Sequence, residues 1–120
     1  MTAMDDRIVV INPNSTERVT DGIDAALDPL RMSGAPTIEC VTLAEGPPGI
    51  ETQAHVESVV EPICRFIRRH DAAAYIIACY SDPGLHAARE ATARPVLGIS
   101  ECSMLAALTL GERFGIIAIL

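Results

Sequence analysis

Cys79 and the residues after it are of the types that thiol chemistry needs. The thiol closes an apolar run, residues 75–78, whose composition predicts a buried strand. Asp82 and Pro83 follow at once, and an Asp before a Pro is typical of a helix start with Asp as N-cap. The unpaired N–H groups of a helix start favour a thiolate. Such a thiolate can act as a nucleophile or as a base that removes a proton from carbon.

The remaining cysteines and the three histidines lack the spacing of a metal site. No two cysteines are arranged as CxxC, and no histidine stands beside a cysteine as a second ligand would. Cys64 lies on the apolar stripe of a predicted helix and Cys40 lies in a predicted strand, so both are expected in the core. The sequence therefore predicts neither a metal site nor a disulfide framework.

The chain contains no lysine, because all nine of its basic residues are arginine. A Schiff base with a substrate carbonyl needs a lysine, and so does the anchoring of pyridoxal phosphate. A phosphate-binding P-loop is excluded on the same ground. We therefore expect that any carbon chemistry here does not depend on a lysine-bound cofactor.

Composition favours a single globular domain of 120 residues with 49% hydrophobic residues. A formal net charge of −7 disfavours nucleic acid and anionic membranes as partners. No apolar stretch reaches the ~18 residues of a membrane span, and residues 1–7 are polar rather than signal-like. The expected compartment is the cytoplasm, and the expected partner is a small-molecule substrate.

Apolar runs and helical stripes alternate along the chain. Strands are predicted at residues 7–12, 37–43, 75–79, 95–99 and 114–120. Helices are predicted at residues 14–30, 51–69, 83–92 and 100–110, with Ser100 capping the last. Pro62, inside the second helix, predicts a kink or a late start there because proline lacks a backbone donor.

This alternation predicts an α/β fold, a doubly wound, flavodoxin-like parallel sheet with helices on both faces. Ligands of such sheets bind at the carboxyl ends of the strands. Polar segments follow three strands, at residues 12–15, 79–82 and 100–103. If the first, third and fourth strands are neighbours, three helix N-termini converge on a crevice suited to a planar anion or an enolate.

Four segments together resemble the aspartate/glutamate/hydantoin racemase superfamily, and within it the hydantoin and allantoin racemase branch. They are INPNST at residues 11–16, CYSDPG at 79–84, AARE at 87–90 and PVLGISECSM at 95–104. The resemblance runs in order from Arg7 to the end of the chain. The glutamate racemase branch is less similar, since it usually has Cys-Asn-Thr where this chain has Cys79-Tyr80-Ser81.

The resemblance implies cofactor-independent racemisation by two cysteines that flank the substrate's stereogenic carbon. Cys79 matches one of the pair. By similarity, the substrate would be held by Asn12, Asn14, Ser15, Tyr80 and Ser81. A hydantoin suits this chemistry, because its C5 proton is made acidic by an adjacent carbonyl whose oxyanion backbone N–H groups can stabilise.

Members of the superfamily have two similar lobes and about twice this length, with the second cysteine in the second lobe. By that resemblance, residues 1–113 form the N-terminal lobe and residues 114–120 form the strand that begins a second. Cys102 does not match the second catalytic position. We therefore expect the chain to supply one of two cysteines, to associate as a homo-oligomer, and not to racemise as a 120-residue monomer.

Other interpretations stay open from the sequence. A decarboxylase or maleate-isomerase-type enzyme of the same superfamily would use Cys79 to protonate an enediolate or to add to an alkene. An inactive binding or dimerisation domain would leave Cys79 as an ordinary strand-end thiol. Asp82 and Glu101 are expected as helix caps, and His86, one turn after Cys79, as a surface residue that could influence the thiol.

Overall fold

A computed structural model describes residues 6–118 and contains four strands and five α-helices. The strands are β1 (Ile8–Asn12), β2 (Ile38–Thr42), β3 (Ala74–Ile77) and β4 (Val96–Gly98). The helices are α1 (Glu17–Leu27), α2 (Gln53–Ser58), α3 (Val60–Arg69), α4 (Leu85–Ala91) and α5 (Ile99–Leu110). A turn of 3-10 helix, Asp28–Leu30, extends α1. No helix within residues 6–118 has the length and apolar character needed to cross a membrane.

The four strands form one parallel sheet in the order β2-β1-β3-β4. This is the beginning of the flavodoxin-like order, and it confirms the predicted fold class. It also makes β1, β3 and β4 consecutive neighbours, which is the arrangement the crevice required. The segments after β1 and β3 therefore leave the sheet side by side at its carboxyl edge.

One face of the sheet carries the main hydrophobic core. Side chains alternate along a strand, so every second residue of β1, β3 and β4 points to this face. They pack with residues of α3 and α4, and the buried set is Val9, Ile11, Tyr75, Ile77, Val96, Ile63, Cys64, Ile67, Leu85 and Ala88. The apolar stripe predicted for the second helix thus faces the sheet as expected.

Helix α1 covers part of the opposite face. Thr20 of α1 is buried and its hydroxyl lies 2.5 Å from the hydroxyl of Thr42 at the end of β2. Val10, on the same face of β1, is also buried. At the β4 end this face is open, because Leu97 is 40% exposed. Helices therefore lie on both faces, but the second face is covered unevenly.

The predicted helix over residues 51–69 is two helices, which meet at Val59. The side chain of Val59 is fully buried, and α3 starts at the next residue. Pro62 is the third residue of α3, where its missing N–H has no partner within the helix in any case. The prediction of a kink or late start at Pro62 is confirmed.

Two further predicted elements differ in the structure. Helix α4 begins at Leu85 with Gly84 as N-cap, two residues after Pro83, so Asp82 is not its cap. The fifth strand, expected over residues 114–120, is absent from residues 114–118, and residues 119–120 lie outside the described range. An extended segment becomes a strand only by pairing, and residues 114–118 join neither β2 nor β4. The assignment of residues 114–120 to a second lobe stays a prediction.

Candidate functional site

Backbone hydrogen bonds bring the segments after β1, β2 and β3 together at the carboxyl edge of the sheet. The N–H of Ala78 donates to the carbonyl of Ile11 at 2.8 Å. The N–H of Leu43 donates to the carbonyl of Asn12 at 2.9 Å. The polar segment after β1 and the Cys79 segment therefore start from neighbouring strands, as the sequence predicted.

Cys79 lies just beyond β3 in a tight turn. Its carbonyl accepts a hydrogen bond from the N–H of Asp82 at 2.9 Å, which closes the turn. Cys79 is half-buried, and its sulfur lies 3.4 Å from the hydroxyl oxygen of Ser81. A hydroxyl can rotate to donate to a thiolate, so Ser81 can stabilise the charged form of this side chain.

The sulfur-bearing turn lines a cavity of about 780 Å³, called here the Cys79 cavity. One wall is formed by Cys79, Tyr80 and Ser81. A second wall comes from the segment that leads into α2 and from α2 itself, and the residues on it are Gly49, Ile50, Glu51, Thr52, Gln53 and Val56. Ile117 and Ala118 complete the lining. The volume is in the range of small-molecule sites.

The wall formed by residues 49–53 was not foreseen from the sequence. In the sequence these residues belong to a Gly- and Pro-containing loop, and no local pattern separates a site loop from any other loop. The one signal available was topological, because the segment that follows β2 at the carboxyl edge of the sheet must pass close to the segment that follows β3.

Asn12 is 1% exposed, and its amide is used inside the protein. Its Nδ2 donates to Oδ1 of Asn14 at 2.9 Å and to the hydroxyl of Thr20 at 3.0 Å. Its Oδ1 accepts from the N–H of Asn14 at 3.1 Å. Asn12 thus fixes the conformation of the segment after β1 and connects this segment to α1 by hydrogen bonds.

Asn14 and Ser15 belong to a segment that is joined to the loop after β2. Oδ1 of Asn14 accepts from the N–H of Thr16 at 3.0 Å, immediately before α1 begins. The N–H of Ser15 donates to the carbonyl of Pro47 at 2.9 Å. Both residues are half-buried. Among the described residues, neither they nor Asn12 line the Cys79 cavity, whereas the other three predicted site residues do.

Asp82 caps α5 rather than its own helix. Its two carboxylate oxygens accept from the N–H groups of Ser100 at 2.9 Å and Glu101 at 2.8 Å. These are among the first amides of α5, so this helix start does not offer them to a substrate. The start of α5 thus lies beside the Cys79 turn, but these two amides are already bound. The prediction that Ser100 caps α5 is wrong, since the N-cap position is Gly98.

Glu101 is paired with a side chain of α4. It accepts from Arg89 at 2.8 Å, and this hydrogen bond lowers the pKa of the carboxyl below its usual value. The same hydrogen bond raises the pKa of Arg89. Arg89 also donates through Nε to the carbonyl of Val96 at 3.0 Å. Arg89 of α4 thus links its helix to β4 and to α5.

The other thiols lie in different surroundings. Cys64 is buried in the core as predicted, and burial raises its pKa. Cys40 was also expected in the core but is only half-buried, because β2 is an edge strand. Burial, followed by a hydrogen bond with Asp24, raises the pKa of Cys40. Cys102 is exposed on α5.

The histidines do not join a metal-binding group. Nδ1 of His55 accepts from the N–H of Glu51 at 3.1 Å, His70 stacks on Phe66, and His86 is exposed as expected. Within residues 6–118, no group of three His, Cys, Asp or Glu side chains is arranged to hold a metal ion.

Comparison with known proteins identifies relatives over most of the chain. Residues 8–120 match the sequence model of the Asp/Glu/hydantoin racemase family. A hydantoin racemase from a Pseudomonas species is 39% identical over 118 residues, which cover 95% of this chain and 47% of the relative. A hydantoin racemase from Paenarthrobacter aurescens is 34% identical, with 95% and 50% covered.

Solved structures agree with the sequence relatives. The allantoin racemase from Klebsiella pneumoniae has a TM-score of 0.78 at 35% identity, with 86% of this chain and 43% of that chain covered. The allantoin racemase from Pseudomonas fluorescens has a TM-score of 0.77 at 25% identity, with 90% and 46% covered. The chain spans about half the length of the curated relatives it matches. It belongs to the Asp/Glu/hydantoin racemase family.

Proposed function

We propose that the protein carrying this chain is a cofactor-independent racemase of a 5-substituted hydantoin or allantoin, and that this chain supplies one of its two catalytic cysteines, Cys79. The observation that carries the proposal is the position of Cys79. Its thiol lines a cavity of small-molecule size in a chain whose relatives are hydantoin racemases. Among the residues that line this cavity, Cys79 is the one cysteine.

The proposed reaction is a proton transfer at the substrate carbon next to a carbonyl. The Cys79 thiolate accepts the C5 proton, and the electron pair of the C–H bond delocalises onto the carbonyl oxygen as an enolate. A second acid returns a proton to the opposite face of the carbon, which inverts its configuration. We assign that second acid to the part of the protein that corresponds to the unmatched half of its relatives.

The neighbours of Cys79 support this role in different ways. Ser81, 3.4 Å from the sulfur, stabilises the thiolate before it accepts the proton. Tyr80 forms part of the cavity wall. Asn14 and Ser15 do not line the cavity, and their proposed role is to bind polar substrate groups from the neighbouring segment after β1. Asn12 contributes through the hydrogen bonds that hold Asn14.

Self-association is part of the proposal. Several apolar side chains of α5 and the segment after it are exposed, among them Leu105, Leu108, Leu110 and Ile117. An apolar surface of this kind favours contact with another lobe or another copy. The expected assembly is a homo-oligomer, which sedimentation velocity can measure.

Proton exchange at the substrate carbon tests the proposal without requiring full turnover. Each enantiomer of a 5-alkylhydantoin is incubated with the protein in D2O, loss of the C5–H signal is followed by NMR, and racemisation is followed by circular dichroism. A single base exchanges the proton of one enantiomer and leaves its configuration unchanged. A complete two-base site exchanges and racemises both.

The matched variant is Cys79→Ser, which keeps the size of the side chain but lacks a thiol of suitable acidity. We expect exchange with wild-type protein to fall to the buffer rate in this variant. Exchange that is equal in wild type and variant would contradict the proposal. If Cys79 reacts with an alkylating reagent but the protein exchanges no C5 proton of either enantiomer, the alternative of an inactive binding domain is favoured.

A further inference from the structure

We infer that Asp82 and Gly98 form a clamp that holds the Cys79 turn against the start of α5, which makes Asp82 a positioning residue for the thiol. The clamp consists of the Asp82 carboxylate, the backbone of Gly98 and the two amides that the carboxylate accepts from. The inference rests on the proposed role of Cys79. It adds a residue whose action on the reaction is indirect.

The hydrogen bonds place Asp82 between the thiol and the helix. Its N–H donates to the carbonyl of Cys79 and closes the turn. Its carboxylate accepts hydrogen bonds from the backbone N–H groups of Ser100 and Glu101. Asp82 is therefore hydrogen-bonded both to the Cys79 turn and to the start of α5. A second connection follows the same path, since the hydroxyl of Tyr80 lies 2.9 Å from that of Ser103.

The N-cap position of α5 explains why the carboxylate has to come from elsewhere. That position is Gly98, which has no side chain and therefore cannot cap its own helix. A Cβ atom built on Gly98 would lie within 2.5 Å of both carboxylate oxygens of Asp82. Glycine at residue 98 thus leaves the space that the Asp82 carboxylate occupies.

The backbone conformation of Asp82 is unfavourable, so the position of its carboxylate costs conformational energy. Asp82 has a φ of 46°, and within the described residues it is the one non-glycine residue with positive φ. This left-handed conformation is unfavourable for most L-residues, although Asp and Asn tolerate it best. Such strain persists where surrounding contacts fix it, and here two charge-assisted hydrogen bonds do so.

Three substitutions separate the parts of the clamp. Asp82→Asn keeps the size of the side chain and its tolerance of positive φ, but it removes the charge and one acceptor oxygen. Asp82→Gly favours the positive φ and removes the carboxylate entirely. Gly98→Ala leaves Asp82 intact and places a methyl group where the carboxylate lies.

Amide hydrogen exchange tests the clamp independently of any enzymatic activity. In Asp82→Asn, we expect exchange to accelerate about tenfold both at residues 99–102 and at residues 79–82, because one carboxylate holds both segments. An ordinary cap of α5 would protect the helix start alone. Faster exchange confined to residues 99–102 therefore overturns the inference.

A double-variant comparison tests Gly98 as part of the same clamp. Gly98→Ala alone is expected to accelerate exchange at residues 79–82 as Asp82→Asn does. In the Asp82→Gly background it is expected to change nothing further, since the carboxylate that it displaces is gone. An equal effect of Gly98→Ala in both backgrounds contradicts the clamp. Should Gly98→Ala fail to fold, the Asp82→Asn result decides.

Racemisation kinetics of the protein that carries this chain test whether the clamp affects the reaction. A misplaced thiol loses transition-state contact, so Asp82→Asn is expected to lower kcat about tenfold and to change KM less than about twofold. An unchanged kcat overturns the positioning role. If the wild-type protein racemises no hydantoin, the proposed function fails, while the exchange experiment still decides on the clamp.

Discussion

The sulfur of Cys79 lies 3.4 Å from the hydroxyl oxygen of Ser81, two residues further along the same turn. The spacing lets the hydroxyl donate to the thiolate while both side chains face the Cys79 cavity. The nearest partner of the thiol is thus part of the turn that carries it.

Replacement of Ser81 by Ala is expected to slow alkylation of Cys79 by iodoacetamide at pH 7. The thiolate loses a donor worth about 1 kcal/mol, and its greater nucleophilicity without that donor offsets part of the loss, so we expect a rate roughly two- to threefold lower. Peptide mass spectrometry measures the rate at Cys79 alone. Ser81→Thr, which keeps a hydroxyl, is the matched control, and an equal loss in both variants would show that the hydroxyl is not responsible.

The four cysteines are expected to react in an order set by burial and, for Cys40, also by the raised pKa of its thiol. Cys79 and Cys102 should be labelled first at pH 7, and Cys64, which is 3% exposed, should be labelled last. Burial raises the pKa of Cys64 and of Cys40, so less of each is thiolate at neutral pH and both rates should keep rising beyond the pH at which an ordinary thiol levels off.

Labelling in urea provides the reference for this order. Unfolding removes burial, so all four thiols should then react at similar rates. If Cys64 reacted as fast as Cys79 in the native protein, the core packing around α3 described above would be wrong.

Asn12 is expected to act on stability as well as on any binding. Asn12→Ala removes the donor to Asn14 and Thr20 and the acceptor for the Asn14 amide in a fully buried setting. We expect the free energy of unfolding to fall by about 2–4 kcal/mol in urea titrations. Asp21→Ala, at an exposed position of α1 beyond its first turn, is the control and should change it by less than about 0.5 kcal/mol.

The fold was accessible from the sequence because its signals are local. The apolar runs at β1 and β3 and the stripe on α3 depend on alternation and helical period, which are visible within a dozen residues. Pro62 marked the late start of α3 for the same reason. The segment at residues 114–118 shows the limit of this reasoning. Its composition suits a strand, but pairing depends on where β2 and β4 lie.

The site was accessible only in part because its contacts are not local. Asp82 next to Pro83 has the appearance of a cap for the following helix, yet its carboxylate binds amides 18 and 19 residues away. Asn12 has the appearance of an edge residue, but the α1 hydroxyl that it meets is brought close by the fold. Local sequence patterns show which polar side chains stand at the strand ends. They do not show which distant groups those side chains bind.

Two glycines are expected to respond to alanine in opposite directions. A Cβ on Gly46 would collide with the carbonyl oxygen of Pro13 and crowd Asn14, so the loop after β2 can approach the loop after β1 only without a side chain. Because backbone atoms cannot rotate away, Gly46→Ala should lower the free energy of unfolding by about 1–3 kcal/mol. It should also weaken the contact between Ser15 and Pro47.

Gly22, by contrast, lies within α1, and a Cβ there meets nothing within 4 Å. Alanine is the better helix former, so Gly22→Ala should raise the free energy of unfolding by about 0.5–1 kcal/mol. Urea titrations of both variants measure the difference. The two substitutions add the same methyl group, so a shared sign would mean that the close approach of the two loops does not decide the outcome at Gly46.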